Sequence, residues 1–332
     1  MRMACLTNLG LTKLSSIRLA CLTSLGISLG CLARLDSTQP RSSVACLTSL
    51  ALLGLACLTN LGFTACPTPP PAIEIGTFNI RYANDNDGSN AWRHRRELVV
   101  SILKEGDFWG LQEALPSQVD ELARALPEWK MVVRSRDKDS TTGEACPILY
   151  RADRWTLDPA ASGTFWLSES PAEPGSRSWD AALPRICTFA RFTPAAGGAG
   201  LTIFNVHLDH KGTQARLESA KLLAKRIAAR AHADEPFILL GDFNCGPTSD
   251  PLKHLLADRS LALQDAWRVT HPDAAEQPTF NGWRERCEGE RIDWILASST
   301  LSVEHSAIDA SKRDGRWPSD HAIVRARIRR RP

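Results

Sequence analysis

Six short polar clusters follow or interrupt apolar runs along this 332-residue chain: TFNIR at 77–81, LQE at 111–113, NVHLDH at 205–210, GDFN at 241–244, RID at 291–293 and SDH at 319–321. Their carboxylates, amides and imidazoles are the groups that hold hard cations and move protons. Glu113 and Asp320, with the amide oxygen of Asn79, form an oxygen ligand set of the kind that suits a hard divalent cation. No CxxC pair is present, so a structural zinc site is not expected, and Mg²⁺, with Mn²⁺ as a substitute, is favoured by the oxygen donors. Asp242 and Asn244 stand two residues apart and would face the same way on an extended segment. His207 and His321 are candidate hydrogen-bonding groups for a developing anion, and each imidazole needs a partner to fix its tautomer. Asp293 lies inside the hydrophobic run RIDWIL, where an unpaired carboxylate would be costly, so it is expected to be paired.

These clusters need a scaffold that brings distant positions together. Residues 73–78 alternate like a strand and lead into Asn79, and 108–111 form a short apolar strand that ends at Gln112-Glu113. Residues 201–208 and 237–240 read as strands, with a helix over 213–231 between them carrying Leu217, Ala220, Leu223 and Ile227 on one face. A second helix covers 92–105, with Trp92, Val99, Ile102 and Leu103 at helical spacing. Late strands are expected at 291–296 and 323–328. Strands alternating with helices indicate an α/β fold whose polar groups gather at strand ends.

Taken together and in this order, the clusters resemble the endonuclease/exonuclease/phosphatase family, over roughly residues 73–328. That family includes pancreatic-type deoxyribonucleases, apurinic-site endonucleases, deadenylases, sphingomyelinases and inositol polyphosphate phosphatases. The resemblance implies a two-sheet α/β sandwich of four layers (DNase I-like), with mixed sheets flanked by helices. It also implies metal-dependent phosphoester hydrolysis by in-line attack of water. Such a reaction must neutralise the non-bridging oxygens, present the water and stabilise the leaving oxygen. In that scheme Glu113, Asn79 and Asp320 hold the metal, Asp242 activates the water, and Asn244 orients the water or the phosphate. The resemblance pairs His321 with Asp293 and His207 with Glu144, and it gives Arg185 a substrate phosphate, for which a planar guanidinium fork is suited. Arg81 is a similar candidate. The segment 163–189 resembles a bacterial branch of the family, and Trp166 and Trp179 within it are candidates to wall the pocket by stacking on a base or sugar. Two departures from the nucleases stand out: Thr142 replaces a tyrosine before Glu144, and Leu115 replaces an arginine after Glu113. Both would have touched a DNA backbone.

Charge points the same way. Lys and Arg number 40 against 37 Asp and Glu, but Arg2, Lys13, Arg18, Arg34 and Arg41 face only Asp36 in the first 66 residues, which leaves the remainder near neutral. Strong duplex-DNA binding is therefore not expected, and the arginines from 325 to 331 read as a solvated strand face and tail. The phosphoester partner is a small molecule or a nucleic acid, and the chain is expected to be a monomer. Three other functions fit the composition less well: a nuclease on DNA or RNA, a sphingomyelinase-like lipid-headgroup phosphodiesterase, and a catalytically inactive binding module. All the key residues are present, which argues against the last.

Residues 1–66 read as a low-complexity leader in which ACLTNLG-like phrases recur at irregular spacing, too short and uneven for a solenoid. Residues 42–73 carry no charge and include an apolar run ending at Thr64-Ala65-Cys66, the pattern of an export signal. Cys66 is a candidate lipidation site, 67–72 a Pro-rich spacer, and 73–332 the catalytic domain. The expected location is exported, periplasmic or lipid-anchored at the envelope, with membrane contact only through the leader or a lipid at Cys66. A cytoplasmic location follows instead if the leader is not part of the natural protein. Cys146, Cys187, Cys245 and Cys287 are either disulfides or buried thiols, and the sequence does not choose.

Overall fold

The structure is a computed structural model and describes residues 72–331. The expected leader and its Cys66 lie outside the described residues, as does the spacer apart from Ala72. Strands β1 (Ile73–Asn79) and β2 (Phe108–Gln112) are parallel and joined by helix α1 (Trp92–Leu103). Strands β7 (Leu201–His207) and β8 (Phe237–Asp242) repeat that unit around α3 (Thr213–Ala228). Each unit seeds one six-stranded sheet. The first runs β11 (Leu301–Asp309), β12 (Ile323–Arg330), β1, β2, β4 (Ile148–Arg151), β3 (Trp129–Val132). The second runs β5 (Trp155–Trp166), β6 (Ile186–Pro194), β7, β8, β10 (Asp293–Ser298), β9 (Leu263–Asp265). All other strand pairs are antiparallel, so both sheets are mixed.

The layering follows from which faces are apolar. β1, β2, β7, β8 and β10 are buried along almost their whole length, as central strands covered on both faces must be. Their inner faces (Ile75, Phe108, Ile203, Ile238 and Ile295 among them), with Val324 of β12, make one core between the sheets. Outside the first sheet, Val99, Ile102 and Leu103 of α1 and Leu122 of α2 (Pro116–Ala125) pack on Trp109 and Leu111. Outside the second, Leu223 and Ile227 of α3 and Leu252 and Leu255 of α4 (Asp250–Ala257) pack on Phe204 and Leu239. The result is the expected four-layer sandwich.

The two sheets meet most closely near the strand ends that carry the polar clusters. A Cβ on Gly110 would lie 2.1 Å from Leu240 Cδ1 and 2.9 Å from the Asn205 side chain, so only glycine permits that approach. Through the gap, Gln112 Nε2 donates to Asn205 Oδ1 at 2.7 Å, and Asn205 Nδ2 donates to the carbonyls of Leu111 at 2.8 Å and Pro147 at 2.9 Å. Polar groups this deeply buried hold only when paired, and here the pairing pins one sheet to the other. The four cysteines of the domain are free thiols, three of them buried. Strands β3, β4, β5, β6, β9 and β11, which are short or carry weak or interrupted apolar patterns, are the elements that sequence periodicity did not mark.

Candidate active site

Asp242 ends β8, and its register partner on β10 is Asp293, while its partner on β7 is His207. Sheet pairing alone therefore sets three of the polar residues side by side. The loop between β11 and β12 brings in Asp320 and His321. From the other sheet come Asn79 at the end of β1 and Glu113 just past β2. Together they line or floor one cavity of about 320 Å³, whose walls include Arg81, Tyr82, Glu113, Arg136, Glu144, Arg185, His207, His210, Asp242, Asn244, Phe280, Asp320 and His321.

Several chain exits are bent to make this possible. Arg81, Glu113 and Asn244 have φ of 55°, 61° and 50°, a left-handed conformation that is uncommon for residues with a side chain and tends to cluster at functional sites. The Glu113 carboxylate is fixed by the backbone N–H of Tyr82 at 3.1 Å and by Asn79 Nδ2 at 3.1 Å. Ser319 Oγ donates to the Asn79 carbonyl at 2.6 Å, joining the two loops. Arg95, only 1% exposed, donates to the carbonyls of Asn90, Ile80, Arg81 and Pro318, and its burial pulls its pKa down to about 10.

The electrostatics separate the two histidines. His321 Nδ1 lies 2.9 Å from Asp293 Oδ2 and its Nε2 3.8 Å from Asp242 Oδ2. Burial works against its charge, but Asp293 and Asp242 hold its pKa well above the ordinary histidine range. His207 Nε2 lies 3.4 Å from Asp242 Oδ2, yet burial, with the Arg185 and Arg136 cations, pushes its pKa well below that range. The surroundings thus favour the charged form of His321 and the neutral form of His207. Burial and the neighbouring Asp293 push the Asp242 carboxyl up to about 7, against the pull of His321. A carboxyl poised between two imidazoles in this way can accept a proton and share it.

Two groups of residues offer themselves to a cation. Asp242, Asp293 and His321 have ligand atoms within 4.8 Å of one another. We assign that group to proton handling, because His321 Nδ1 is already bonded to Asp293 Oδ2 at 2.9 Å. The other group is Glu113 and Asp320, oxygen donors on the cavity wall. They share Arg81, whose guanidinium lies 4.0 Å from Glu113 and 3.8 Å from Asp320 but is already held by Asp87 at 3.0 Å. Burial, with Glu113 adding to it, raises the Asp320 pKa against the pull of His321. A pair of hard, under-compensated carboxylates fits a hard divalent cation.

Four expectations need correction. Glu144 does not pair with His207: among the described residues it takes a two-point bond from Arg136, at 2.6 and 3.0 Å, because that fork lies eight residues away on the same loop. Asp242 and Asn244 are not on one extended segment. The strand stops at Asp242, whose Oδ1 accepts the Asn244 N–H at 2.9 Å in a tight turn, and both still face the cavity. Asn79 turns its nitrogen, not its oxygen, toward Glu113 and Asp242, because its Oδ1 accepts the Arg81 N–H at 3.0 Å. Trp166 and Trp179 do not line the cavity. Trp166 is 3% exposed among Cys146 and Ile186, with its Nε1 on the Arg136 carbonyl, because its place at the end of β5 turns it into the core. Trp179 sits half-buried on a left-handed turn away from the cavity wall. Arg185 and Arg81 both line the cavity. The lining residues that sequence reasoning missed are chiefly Arg136, His210, Tyr82 and Phe280. His210 lay in plain view within NVHLDH, but nothing in that string distinguishes it from a surface histidine.

The profile of the Endonuclease/Exonuclease/phosphatase family matches residues 76–321. Human nocturnin is 32% identical over 295 residues, covering 78% of this chain and 65% of that protein. The chain thus spans less than two thirds of the relatives' own length, and 32% of rat nocturnin. Among solved structures, an endonuclease/exonuclease/phosphatase from Bacteroides vulgatus superposes with a TM-score of 0.73 at 32% identity, over 79% of this chain and 100% of that one. A mannosyl-6-phosphatase from Bacteroides thetaiotaomicron gives 0.69 at 31% identity, over 77% and 99%.

Proposed function

Since the chain belongs to the endonuclease/exonuclease/phosphatase family, we propose that it is a Mg²⁺-dependent phosphoester hydrolase that works by direct attack of water on phosphorus. The observation that carries this reading is the Asp242 carboxylate, within 3.1 Å of Asn79 Nδ2, 3.4 Å of His207 and 3.8 Å of His321, beside the Glu113–Asp320 pair. Glu113 and Asp320 would hold the cation, which when bound neutralises phosphoryl charge and acidifies a leaving oxygen. Asp242 takes the proton of the attacking water. His321, kept cationic by Asp293, donates to phosphoryl oxygen as charge builds there. Asn244, tied through Nδ2 to the Leu208 carbonyl at 3.0 Å, is fixed to orient the water or the phosphate. Arg185 adds a positive wall. A small-molecule substrate suits a cavity of this size better than a duplex, in keeping with the near-neutral charge of the domain.

The test is hydrolysis of a panel (p-nitrophenyl phosphate, bis-p-nitrophenyl phosphate, sugar phosphates, RNA, plasmid DNA and sphingomyelin) with and without metal. Activity on at least one class should vanish in chelator and return with excess Mg²⁺ or Mn²⁺. Full activity in chelator would remove the metal from the scheme.

A further inference from the structure

A second cavity, of about 260 Å³, lies on the outer face of the second sheet, between strands β5, β6 and β7 and the C-terminal end of α3. Its floor is a row of three rings. The centroids of Phe165 and Phe189 are 6.0 Å apart, and those of Phe189 and Phe204 are 6.0 Å apart with their planes at 21°. Above them stand Arg226 of α3 and Arg230 just beyond it. The Arg226 guanidinium lies 5.3 Å from the Phe165 centroid, and that of Arg230 lies 4.5 Å from the Phe237 centroid.

Two of the lining residues hold buried polar atoms with no hydrogen-bond partner among the described residues. One is the Oγ1 of Thr202, a residue only 3% exposed, and the other is Arg230 Nε. Thr202 pairs in register with Phe237, whose ring lies under Arg230, so the two orphaned groups belong to the same end of the cavity. The guanidinium is held in place by its other donors, Nη1 on the Ile227 carbonyl at 2.8 Å and Nη2 on those of Ala233 at 2.7 Å and Glu235 at 2.6 Å. The nearby Glu235 carboxylate is already taken by Arg191 at 2.7 Å and by the Gly200 N–H at 2.8 Å. Leaving a buried donor unmet is costly, and a guanidinium can only donate. The cavity therefore offers one hydroxyl and one N–H beside an aromatic floor, with no acid of its own to meet them. It is remote from the catalytic residues. Thr202 and Phe204 point outward on β7, whereas Ile203 and His207 point inward, and Thr202 stands roughly 17 Å from His207 along the strand at about 3.3 Å per residue.

We propose that this cavity binds a small aromatic carboxylate, with its ring on the Phe189–Phe204 floor and its two oxygens on Thr202 Oγ1 and Arg230 Nε. The inference goes beyond the hydrolase reading and does not depend on it. Aromatic rings gain from offset contact with a floor of this kind. Two free donors match the two oxygens of a carboxylate, and a phosphate dianion would leave an oxygen unmet. Arg226 adds positive charge at the rim. The volume is below that of drug-sized pockets and suits a molecule of about a dozen non-hydrogen atoms.

The experiment is calorimetric titration of the full chain with 2-naphthoate and with its neutral analogue 2-naphthalenemethanol, in chelator so that no metal competes for the acid. The carboxylate should bind once per chain with Kd on the order of 0.1–1 mM, at least about tenfold tighter than the alcohol. Thr202→Val keeps the shape and removes the hydroxyl, and it should weaken the carboxylate by about tenfold without lowering the melting temperature, since that hydroxyl holds nothing in the fold. Arg226→Glu, on an exposed position, should weaken it by at least about threefold and serves as the readout if the valine variant does not fold. Absence of saturable binding, equal affinity for acid and alcohol, or an affinity unchanged by these substitutions would each overturn the proposal, and none of them touches the hydrolase reading.

Discussion

Asp242, His321 and Asp293 form a line of three buried groups in which charge is graded by position. Asp293 has no exposure at all, and its Oδ1 has no partner beyond the one imidazole that its Oδ2 holds. An isolated buried carboxylate is costly, so the pair acts as a unit, and that unit keeps His321 charged for use against a developing anion. Asp242→Asn removes the proton acceptor while keeping the hydrogen-bonding shape, and turnover should fall by about 10²–10⁴-fold. His321→Ala should cost a similar factor. Asp293→Asn should cost less, since it weakens only the orientation and charge of His321. The double change of Asp242 and His321 should cost far less than the product of the singles, because groups that act together are not additive. Steady-state kinetics check the ranking, and melting temperatures should remain within a few degrees of the parent. A product-like double effect would mean that the two side chains work independently.

At the scale of elements, the site depends on turns that follow the strands and on the polar clamps that hold them. Asp209, just after β7, accepts the backbone N–H groups of Ala182, Leu183, Lys211 and Gly212 at 3.1, 3.2, 2.9 and 2.7 Å. It thereby welds the approach to β6, which carries Arg185, to the loop that carries His210. Burial alone would raise its pKa, but these four donors outweigh burial and hold it at about 2, below the ordinary 3.8. A depressed folded-state pKa contributes stability that is complete above the unfolded value and disappears as pH falls through the folded one. The contribution is about 1–2 kcal/mol after allowance for solvent screening. Asp209→Asn should therefore destabilise the domain near neutral pH, and the gap between variant and parent should close between about pH 4 and pH 2. Urea denaturation across that range measures it. A gap that stays constant down to pH 2 would show that the clamp gains nothing from ionisation.

The described residues form two βαβ units, each widened into a sheet, with the site at the strand ends where the two sheets face each other. Asn79 and Glu113 belong to one sheet and His207, Asp242 and Asp293 to the other, so neither sheet holds a complete site. The Gln112–Asn205 bridge and the close approach at Gly110 set the spacing between them. Among the described residues, three main clusters supply a core to both sheets. A chain beginning at Pro67 should accordingly fold with a cooperative melt and keep the metal-dependent activity of the full chain. Circular dichroism and the panel assay check this. An unfolded or inactive truncation would mean that residues 1–66 contribute to the domain.

The order of the polar clusters and the apolar runs before them determined the family, the layer type and most of the central strands, because central strands buried on both faces leave a continuous hydrophobic signature. The clusters also contain Arg81, Glu113, His207, Asp242, Asn244, Asp320 and His321, which line the cavity. What the sequence could not carry was side-chain orientation. That Asn79 offers nitrogen, that Glu144 turns to Arg136, and that Trp166 faces the core each follow from which neighbour reaches a group first in three dimensions. Arg136 and His210 went unassigned for the same reason, since a loop arginine and a histidine past a strand end look like solvated residues until two sheets close around them. The charge states belong to the same class. Two histidines alike in sequence are pushed in opposite directions, His321 toward the charged form by the carboxylates of Asp293 and Asp242 and His207 toward the neutral form by burial and the charges of Arg185 and Arg136, and burial makes those neighbours decide.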